Sequence, residues 1–410
     1  MTMPGQDRTL GRIAHVVLLG LAVLGALAYG LQCRDGLGVT GLSREMPWGL
    51  YISQFTFLVG IGASAVTVLL PYYVHRQKVF ARALVLGEVV AVTALGLALS
   101  CIFVDLGQPR RLLNILLYPS PSSLMFWDCL TLGGYLVLSL IGLLAALFSY
   151  RSSSGGWARG LALATIPWAI GIHVVTALLY AGLAARPAWM TAVLAPRFLA
   201  TAFASGPALL ILLAAWLARA KVFDVGRDAI ARLSVIMTYA AVLSALLAGL
   251  EAFTALYSGI PSAREHLEYL FLGLDGHSGL VTANYLSWAL LIGALIVLLV
   301  PGLRRRGVLH TVATAGLLLS VLIDKGLCLV SSGFVPSPLG KVHDYRPSLP
   351  ELAIVAGIYA SGALVFLALR PLFAIAHANL PIPENPVHAT AQPLSTERAP
   401  GMAGAAAMEI

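Results

Sequence analysis

Charged residues are scarce in this sequence. Only 11% of its 410 residues are charged and 59% are hydrophobic, whereas about a quarter of an ordinary soluble domain is charged. A soluble chain of this length would form two or three domains and would need a larger charged surface. The composition therefore excludes a soluble enzyme, a disordered protein and a disulfide-stapled secreted domain, and it predicts that most of the chain lies in lipid.

Clustered metal ligands and nucleotide-binding motifs are also missing. The four cysteines lie far apart, with no CxxC and no Cys/His cluster, so nothing points to zinc or to an iron–sulfur cluster held by this chain. There is no P-loop and no strand periodicity that would carry a Rossmann fingerprint. The net charge of +8 is better explained by basic cytoplasmic loops of a membrane protein than by nucleic-acid binding.

Long apolar runs are what the sequence has in abundance. A helix that crosses a bilayer needs about 20 mostly apolar residues, and we predict an all-α, polytopic membrane domain over residues 1–377 with about ten such helices. The tail 378–410 is polar and rich in Pro and Ala, so we predict that it is disordered and cytoplasmic. The predicted helices are 11–31, 48–74, 80–103, 124–150, 157–185, 198–218, 230–258, 283–301, 308–331 and 350–374.

Lys and Arg are unevenly divided between the two ends of these helices. The face with both termini carries sixteen of the 26 basic residues, the opposite face carries nine, and Lys325 lies inside a helix. Basic residues collect on the cytoplasmic side, so both termini are predicted to be cytoplasmic. We call the opposite side the outer face; its loops 104–123, 259–282 and 332–349 are long enough to form a docking surface, with simple caps as the alternative.

Six ionisable residues fall inside predicted helices, where each costs at least about 2.5–3.5 kcal/mol on insertion scales. His173 shares one face of its helix with Thr176 and Tyr180. Such stripes must face protein or water, and they serve either a functional site or interhelical hydrogen bonds that only hold the bundle. Asp128, Glu251, Asp324 and Lys325 fall in the outer third of the membrane, His173 near its middle and Glu88 in the inner half.

A b-type haem needs two axial histidines from facing helices, and the geometrically possible pair is His15 with His310 near the cytoplasmic side. Two separate interfacial histidines are the favoured interpretation. We therefore predict no haem, no iron–sulfur cluster and no metal held by this chain alone.

One outer loop is more specific. In Asp105-Leu-Gly-Gln-Pro-Arg-Arg111, Gly107 and Pro109 favour a tight, rigid turn at a helix end. Asp105 could cap the helix or pair with Arg110 or Arg111, and arginines fixed in this way could reach a partner or a polar headgroup. A helix stop with a local ion pair is the alternative.

This loop resembles the D-L-G-x-P-x-R signature of the NrfD/PsrC family, the membrane subunits of polysulfide- and nitrite-reductase-type complexes. The stretch Trp48–Gly60 looks like the first bundle helix of that family. Ser120–Trp127 is similar to its S-P-x-S-x-x-x-W motif, and Pro347–Glu351 looks like the P-x-x-x-E start of the last helix. The resemblance covers residues 11–377 and implies two four-helix bundles plus extra helices. The helix count points to the longer type, which includes DsrP of the Dsr sulfur-metabolism complex and the hydrogenase-2 membrane subunit.

The resemblance implies a quinone-reactive subunit without its own prosthetic group, in a respiratory or sulfur-metabolism complex of the bacterial inner membrane. A periplasmic four-cluster iron–sulfur protein would dock on the outer loops around Asp105, Arg110 and Arg111, beside further subunits, and would exchange electrons with menaquinone or ubiquinone. The family's quinone pocket lies in the first four-helix bundle, here helices 2–5. Headgroup contacts are expected from Trp48, Tyr51, Gln54 and Tyr180.

Quinone chemistry also needs proton-carrying groups. Shorter family members place a His where this chain has Phe55, so Asp128 or His173 is expected to act near the ring, with Glu88 extending a path toward the cytoplasm. Glu251, Asp324 and Lys325 form a possible separate proton path. A secondary transporter and a purely structural anchor are the alternatives; the first would usually show two similar repeats, which this sequence lacks. Enzyme activity of the chain by itself is left open.

Overall fold

The computed structural model of the protein describes residues 4–148 and 156–380, and it contains ten helices long and apolar enough to cross a membrane. This number confirms the sequence prediction, and most of the predicted helix ends lie within a few residues of those observed. The helices are α1 (Gly11–Asp35), α2 (Leu50–Val74), α3 (Lys78–Asp105), α4 (Leu124–Leu147), α5 (Gly156–Ala181), α6 (Leu194–Arg219), α7 (Arg227–Tyr257), α8 (Val281–Leu299), α9 (Gly307–Ser332) and α10 (Leu349–Asn379).

The ten helices form two four-helix groups and one pair. Helices α2–α5 pack together as the first bundle and α6–α9 as the second, and the bundles meet where α2 lies against α6. Helices α1 and α10 pair with each other, and α10 also packs on α3. The predicted arrangement of two bundles plus extra helices is therefore confirmed.

Two glycines allow α1 and α10 to approach closely. A Cβ atom built on Gly25 would lie 2.7 Å from the Cα of Gly357, and a Cβ on Gly357 would lie 2.7 Å from the Cα of Gly25. Small residues at such a crossing let backbones touch in lipid, where van der Waals packing drives helix association. Any larger side chain at either position would push the two helices apart.

Several transmembrane helices depart from regular α geometry. The lower part of α2 ends in a π-helical turn at Leu70–Val74, and α9 contains another at Asp324–Cys328. Helix α10 is interrupted after Ala368 and resumes at Arg370–Asn379. Residues 381–410, most of the predicted disordered tail, lie outside the described residues. Single π-helical turns occur frequently at functional sites.

The outer face carries short helices of its own within the connections between transmembrane helices. The longest of them, Pro261–Phe271, lies between α7 and α8. The others are Leu37–Val39, Pro109–Arg111, Asn114–Leu117 and Pro187–Trp189. This face is thus a structured surface and not a set of minimal connectors.

We predict that both chain termini lie on the cytoplasmic side. Reporter fusions placed after Leu380 and within loop 104–123 should report opposite compartments, because an odd number of helices separates them and basic residues favour the cytoplasmic side. The fusion after Leu380 should be active only in a reporter that works in the cytoplasm. The same compartment for both fusions would contradict this topology.

Candidate functional site

A buried carboxyl group lies near the outer end of the first bundle. Asp128, on α4, is 4% exposed, and its Oδ1 atom accepts a hydrogen bond of 2.6 Å from the Thr176 hydroxyl on α5. Asp128 falls one turn into its helix because Ser120–Ser123 forms the turn that precedes it. A carboxyl group held in this way keeps its second oxygen for another partner.

The rest of the predicted α5 stripe continues the polar array on both sides of Thr176. The Tyr180 hydroxyl lies 2.5 Å from the Thr56 hydroxyl of α2. His173 is fully buried, and its Nδ1 lies 2.7 Å from the Ala169 carbonyl oxygen, which requires a hydrogen on Nδ1. Its Nε2 atom has no hydrogen-bond partner among the described residues. All three side chains of the stripe are buried in the protein interior.

An aromatic cluster covers the array on the outer side. Trp48 packs edge-on against Tyr180, with ring centroids 5.3 Å apart, and lies 5.7 Å from the Trp189 ring. Phe334 packs edge-on against both tryptophans, and Phe198 does the same against Tyr180. Trp48 and Tyr180, two of the four predicted headgroup contacts, are thus brought together.

The other two predicted headgroup contacts are turned toward different helices. Tyr51 is fully buried and donates a hydrogen bond of 2.7 Å to Gln32 of α1. Gln54 donates to the Gly326 carbonyl oxygen of α9 and accepts from the Tyr359 hydroxyl of α10. Their role at a headgroup stays a prediction, and it would require each side chain to exchange one of these partners.

Glu88 lies apart from the array. Its side chain is buried between α3 and α4, where a Cβ atom on Gly142 would come within 2.8 Å of Oε1. The other oxygen, Oε2, finds no hydrogen-bond partner in the described part of the chain. The glycine makes room for a carboxyl group that sequence analysis placed in the inner half of the membrane.

The second bundle holds a charged triad that the sequence predicts only in part. Arg197 of α6 contacts Glu251 of α7 through Nη1, and its Nη2 lies 2.9 Å from both carboxylate oxygens of Asp324. All three side chains are mostly buried. The sequence prediction places Arg197 in a loop, because the predicted helix begins one residue later. The available signal was two acidic residues within the outer third of predicted transmembrane helices in this bundle, against the single basic residue Lys325.

Lys325 does not join this triad. Its Nζ atom lies 4.0 Å from the centroid of the Phe198 ring and 3.6 Å from a Cβ atom built on Gly60. Ser205 Oγ borders the same spot, and that atom is buried without a partner among the described residues. Lys325 of α9 thus lies next to Gly60 of α2 and Phe198 of α6, at the boundary between the two bundles.

The structure bears on one of the possibilities that the sequence left open for the outer loop after α3. Within the described residues, neither Arg110 nor Arg111 forms an ion pair with Asp105. Both arginines are exposed, and next to them Leu117 and Tyr118 are 67% and 77% exposed. The Asp105 side chain instead turns toward the protein, where Oδ1 is buried.

Glu351 accepts hydrogen bonds from several segments of the chain, whereas in the sequence it stands out only as the last residue of the Pro347–Glu351 motif. It is fully buried and accepts hydrogen bonds from the backbone amides of Gly41 and Ser348 and from the Tyr345 hydroxyl. Ser348 also caps α10 in a capping box. Burial and the neighbouring carboxylate raise the pKa of Tyr345, whose hydroxyl in turn accepts from the Leu50 amide. The start of α10 is thereby tied to the connection between α1 and α2.

The described residues contain no group of three His, Cys, Asp or Glu side chains placed to hold a metal ion. His310 lies 2.8 Å from the Ser234 hydroxyl, and His15 contacts the Gly11 carbonyl of its own helix. That the chain carries neither haem nor an iron–sulfur cluster remains a prediction.

The family model described as "Polysulphide reductase, NrfD" matches residues 38–336, and the chain belongs to this family of multi-pass integral membrane proteins. It is 28% identical to a Halobacterium salinarum protein provisionally described as a membrane subunit of dimethyl sulfoxide reductase, over 88% of this chain and 90% of that protein. It is 22% identical to a selenate reductase subunit of Mesobacillus selenatarsenatis, over 89% of this chain and 95% of that protein.

A third similar protein is the Hdr-like menaquinol oxidoreductase integral membrane subunit of Archaeoglobus fulgidus, 23% identical over 88% of this chain and 92% of that protein. All three relatives are named as subunits of reductases or oxidoreductases. The finer comparison with DsrP and the hydrogenase-2 membrane subunit stays a prediction.

Proposed function

We propose that this protein is the quinone-interacting membrane subunit of a multi-subunit oxidoreductase. It exchanges electrons between membrane quinone and an iron–sulfur subunit docked on the outer face. The observation that carries the proposal is the buried array of Asp128, Thr176, His173 and Tyr180 in the first bundle. The name of the Archaeoglobus relative, a menaquinol oxidoreductase subunit, supports a quinone as substrate and menaquinone as its type.

The array supplies the groups that quinone chemistry needs from a protein. Hydroxyls such as those of Thr176 and Tyr180 can donate hydrogen bonds to ring carbonyls, and the free carboxyl oxygen of Asp128 can take a proton from a quinol or return it. His173 Nε2 is a second acceptor in the same interior. Because the aromatic cluster shields these groups from the outer water, a proton released there moves between side chains before it reaches solvent.

Proton movement beyond the headgroup is a further part of this proposal. Glu88 offers a carboxyl group between Asp128 and the cytoplasmic face. Glu251 and Asp324 offer a second set in the other bundle, and Lys325 lies between the two bundles. The proposed setting is a bacterial inner membrane with both termini cytoplasmic. There, Glu88 or the pair Glu251 and Asp324 would carry protons between the quinone and one side of the membrane.

The proposed function is tested on the intact complex in lipid nanodiscs. Adding a short-chain menaquinol to the oxidised complex, or the corresponding quinone to the reduced complex, should change the electron paramagnetic resonance signal of the partner's iron–sulfur clusters. The remaining subunits, purified without this chain, serve as the control and should not respond. Unchanged cluster signals in both directions would contradict the proposal.

We predict that the iron–sulfur subunit docks around the exposed arginines after α3. Converting Arg110 and Arg111 to Glu inverts two charges at an interface rim, so co-purification of the partner should fall at least about tenfold through electrostatic mismatch. The matched control inverts Arg305 and Arg306, which are exposed on the opposite face, and should leave the complex intact. Retention of the partner by the Arg110/Arg111 variant would show that docking lies elsewhere.

A further inference from the structure

A cleft of about 390 Å³ opens at the outer end of the second bundle. Its walls are the outer parts of α6, α7, α8 and α9, and the short helix Pro261–Phe271 covers one side. The charged triad of Arg197, Glu251 and Asp324 forms part of its lining. The cleft is therefore built from the second bundle and is distinct from the Asp128 array.

The charges of the lining restrict what this cleft can bind. Arg197 is the only cation among the lining residues, and its guanidinium is already shared by two carboxylates. With Glu251 and Asp324 ionised, the lining carries a net charge of one negative unit, which repels an anionic phosphate group. A neutral headgroup that donates hydrogen bonds is complementary to this surface.

His266 adds a hydrogen-bond acceptor. Its Nδ1 lies 3.0 Å from the Ser332 carbonyl oxygen, so Nδ1 carries the hydrogen and Nε2 is left as an acceptor. Burial and the nearby charge of Arg197 lower the pKa of His266 to about 4, so the ring is neutral at physiological pH. The Asp324 carboxylate, with 28% of its side chain exposed, is a second acceptor in the same lining.

The remaining lining is apolar and partly aromatic. Trp288 and Phe271 offer ring surfaces, and Met190 and Ile260 at the cleft are 56% and 52% exposed. Because these exposed apolar side chains neighbour the lipid-facing surface of α7, a hydrophobic tail can leave the cleft directly into the membrane. A flat ring with hydroxyl donors and an apolar tail fits all of these features.

We infer that this cleft binds the headgroup of a second membrane quinol, with its hydroxyls directed to His266 and Asp324 and its isoprenoid tail leaving past Met190 and Ile260. The inference rests on the proposed function, because it requires that the protein meets quinol at all. It adds a site in the second bundle, separate from the one proposed at Asp128. Binding alone is assigned to this site.

The experiment uses the intact complex in nanodiscs of phosphatidylethanolamine and phosphatidylglycerol. The probe is a naphthoquinol with one isoprene unit that carries a diazirine on its tail; it is added reduced and irradiated, and labelled peptides are identified by mass spectrometry. Labels are expected both in first-bundle peptides and in peptides containing residues 248–271 or Met190. The phospholipid that co-purifies with the complex is measured in parallel.

Filling the cleft should remove one set of labels only. Ala252→Leu places extra side-chain volume in the lining, which should lower cleft labelling about tenfold and leave first-bundle labelling unchanged. Ala245→Leu is the matched control, since Ala245 lies two turns earlier on the same helix and is not part of the lining. Ala255→Leu serves as a second cleft-filling variant if Ala252→Leu does not assemble.

The outcomes separate the two proposals. Labels confined to the first bundle would overturn the second site and leave the proposed function standing. Labels in neither bundle would overturn the second site and would also count against the proposed function. Retained phosphatidylethanolamine that is lost from both cleft-filling variants, without quinol labels in the cleft, would show that a phospholipid occupies it instead.

Discussion

Quinol turnover should fall about a hundredfold when Asp128 is replaced by asparagine, while the complex still assembles. The amide keeps an oxygen that can accept the Thr176 hydrogen bond, so local packing is preserved. It cannot take up a proton, and loss of a positioned proton acceptor typically costs 10²-fold or more, as an order of magnitude. The measurement is the steady-state rate of quinol oxidation, or of quinone reduction, by complex in nanodiscs at equal protein concentration.

Asp275→Asn is the control for this variant. It makes the same chemical change at the outer face, where Asp275 is exposed in the connection between α7 and α8. It should retain the full rate. Normal turnover in both Asp128→Asn and His173→Ala would show that the proton-carrying groups of the reaction lie outside the first-bundle array.

The largest loss of stability is expected from Glu351→Ala. This change leaves two backbone amides and the Tyr345 hydroxyl without their common acceptor in a fully buried position. Leaving one buried hydrogen-bonding group unsatisfied costs about 1–3 kcal/mol, and three such groups lose their common acceptor here. The purified protein in detergent should therefore unfold at a markedly lower midpoint temperature. This is measured by the fluorescence of a dye that does not react with cysteines, or by loss of soluble monomer on heating.

Two further variants bracket this effect. Glu351→Gln keeps an oxygen for the Gly41 and Ser348 amides and should recover part of the stability. Glu268→Ala breaks a pair with Arg264 in which the arginine is 64% exposed, and exposed pairs contribute at most about 1 kcal/mol. A thermal midpoint of Glu351→Ala equal to that of Glu268→Ala would mean that the Glu351 contacts do not hold the outer connections together.

The transmembrane helices could be predicted because length and apolarity alone determine them. The structure contains all ten predicted helices, and they pack as two four-helix bundles and one pair. The start of α6 at the outer face could not be predicted from apolarity. Arg197 follows Pro196 in sequence and interrupts an apolar run, so the sequence predicts a loop there. The helix in fact begins at Leu194, and Arg197 within it is paired with acidic residues of two other helices.

Partners between distant helices could not be predicted in the same way. Asp324 and Lys325 are adjacent, which favours grouping them as one path, yet successive residues of a helix point in different directions. Asp324 therefore meets Arg197 while Lys325 meets Phe198. For Gln54, the contacts with Gly326 and Tyr359 depend on how α9 and α10 are placed around the first bundle, and no local pattern in the sequence records this.

The close crossing of Gly25 and Gly357 has a consequence for the way this protein is made. A ribosome adds about 5–20 residues per second, so α1 resides in the membrane for on the order of tens of seconds before its partner α10 has been synthesised. During that interval the glycine surface of α1 is covered by lipid, and the backbone amide of Gly41 lacks its acceptor, the Glu351 carboxylate. A nascent chain that stops before α10 thus leaves α1 without its helical partner, and synthesis of α10 completes both contacts together.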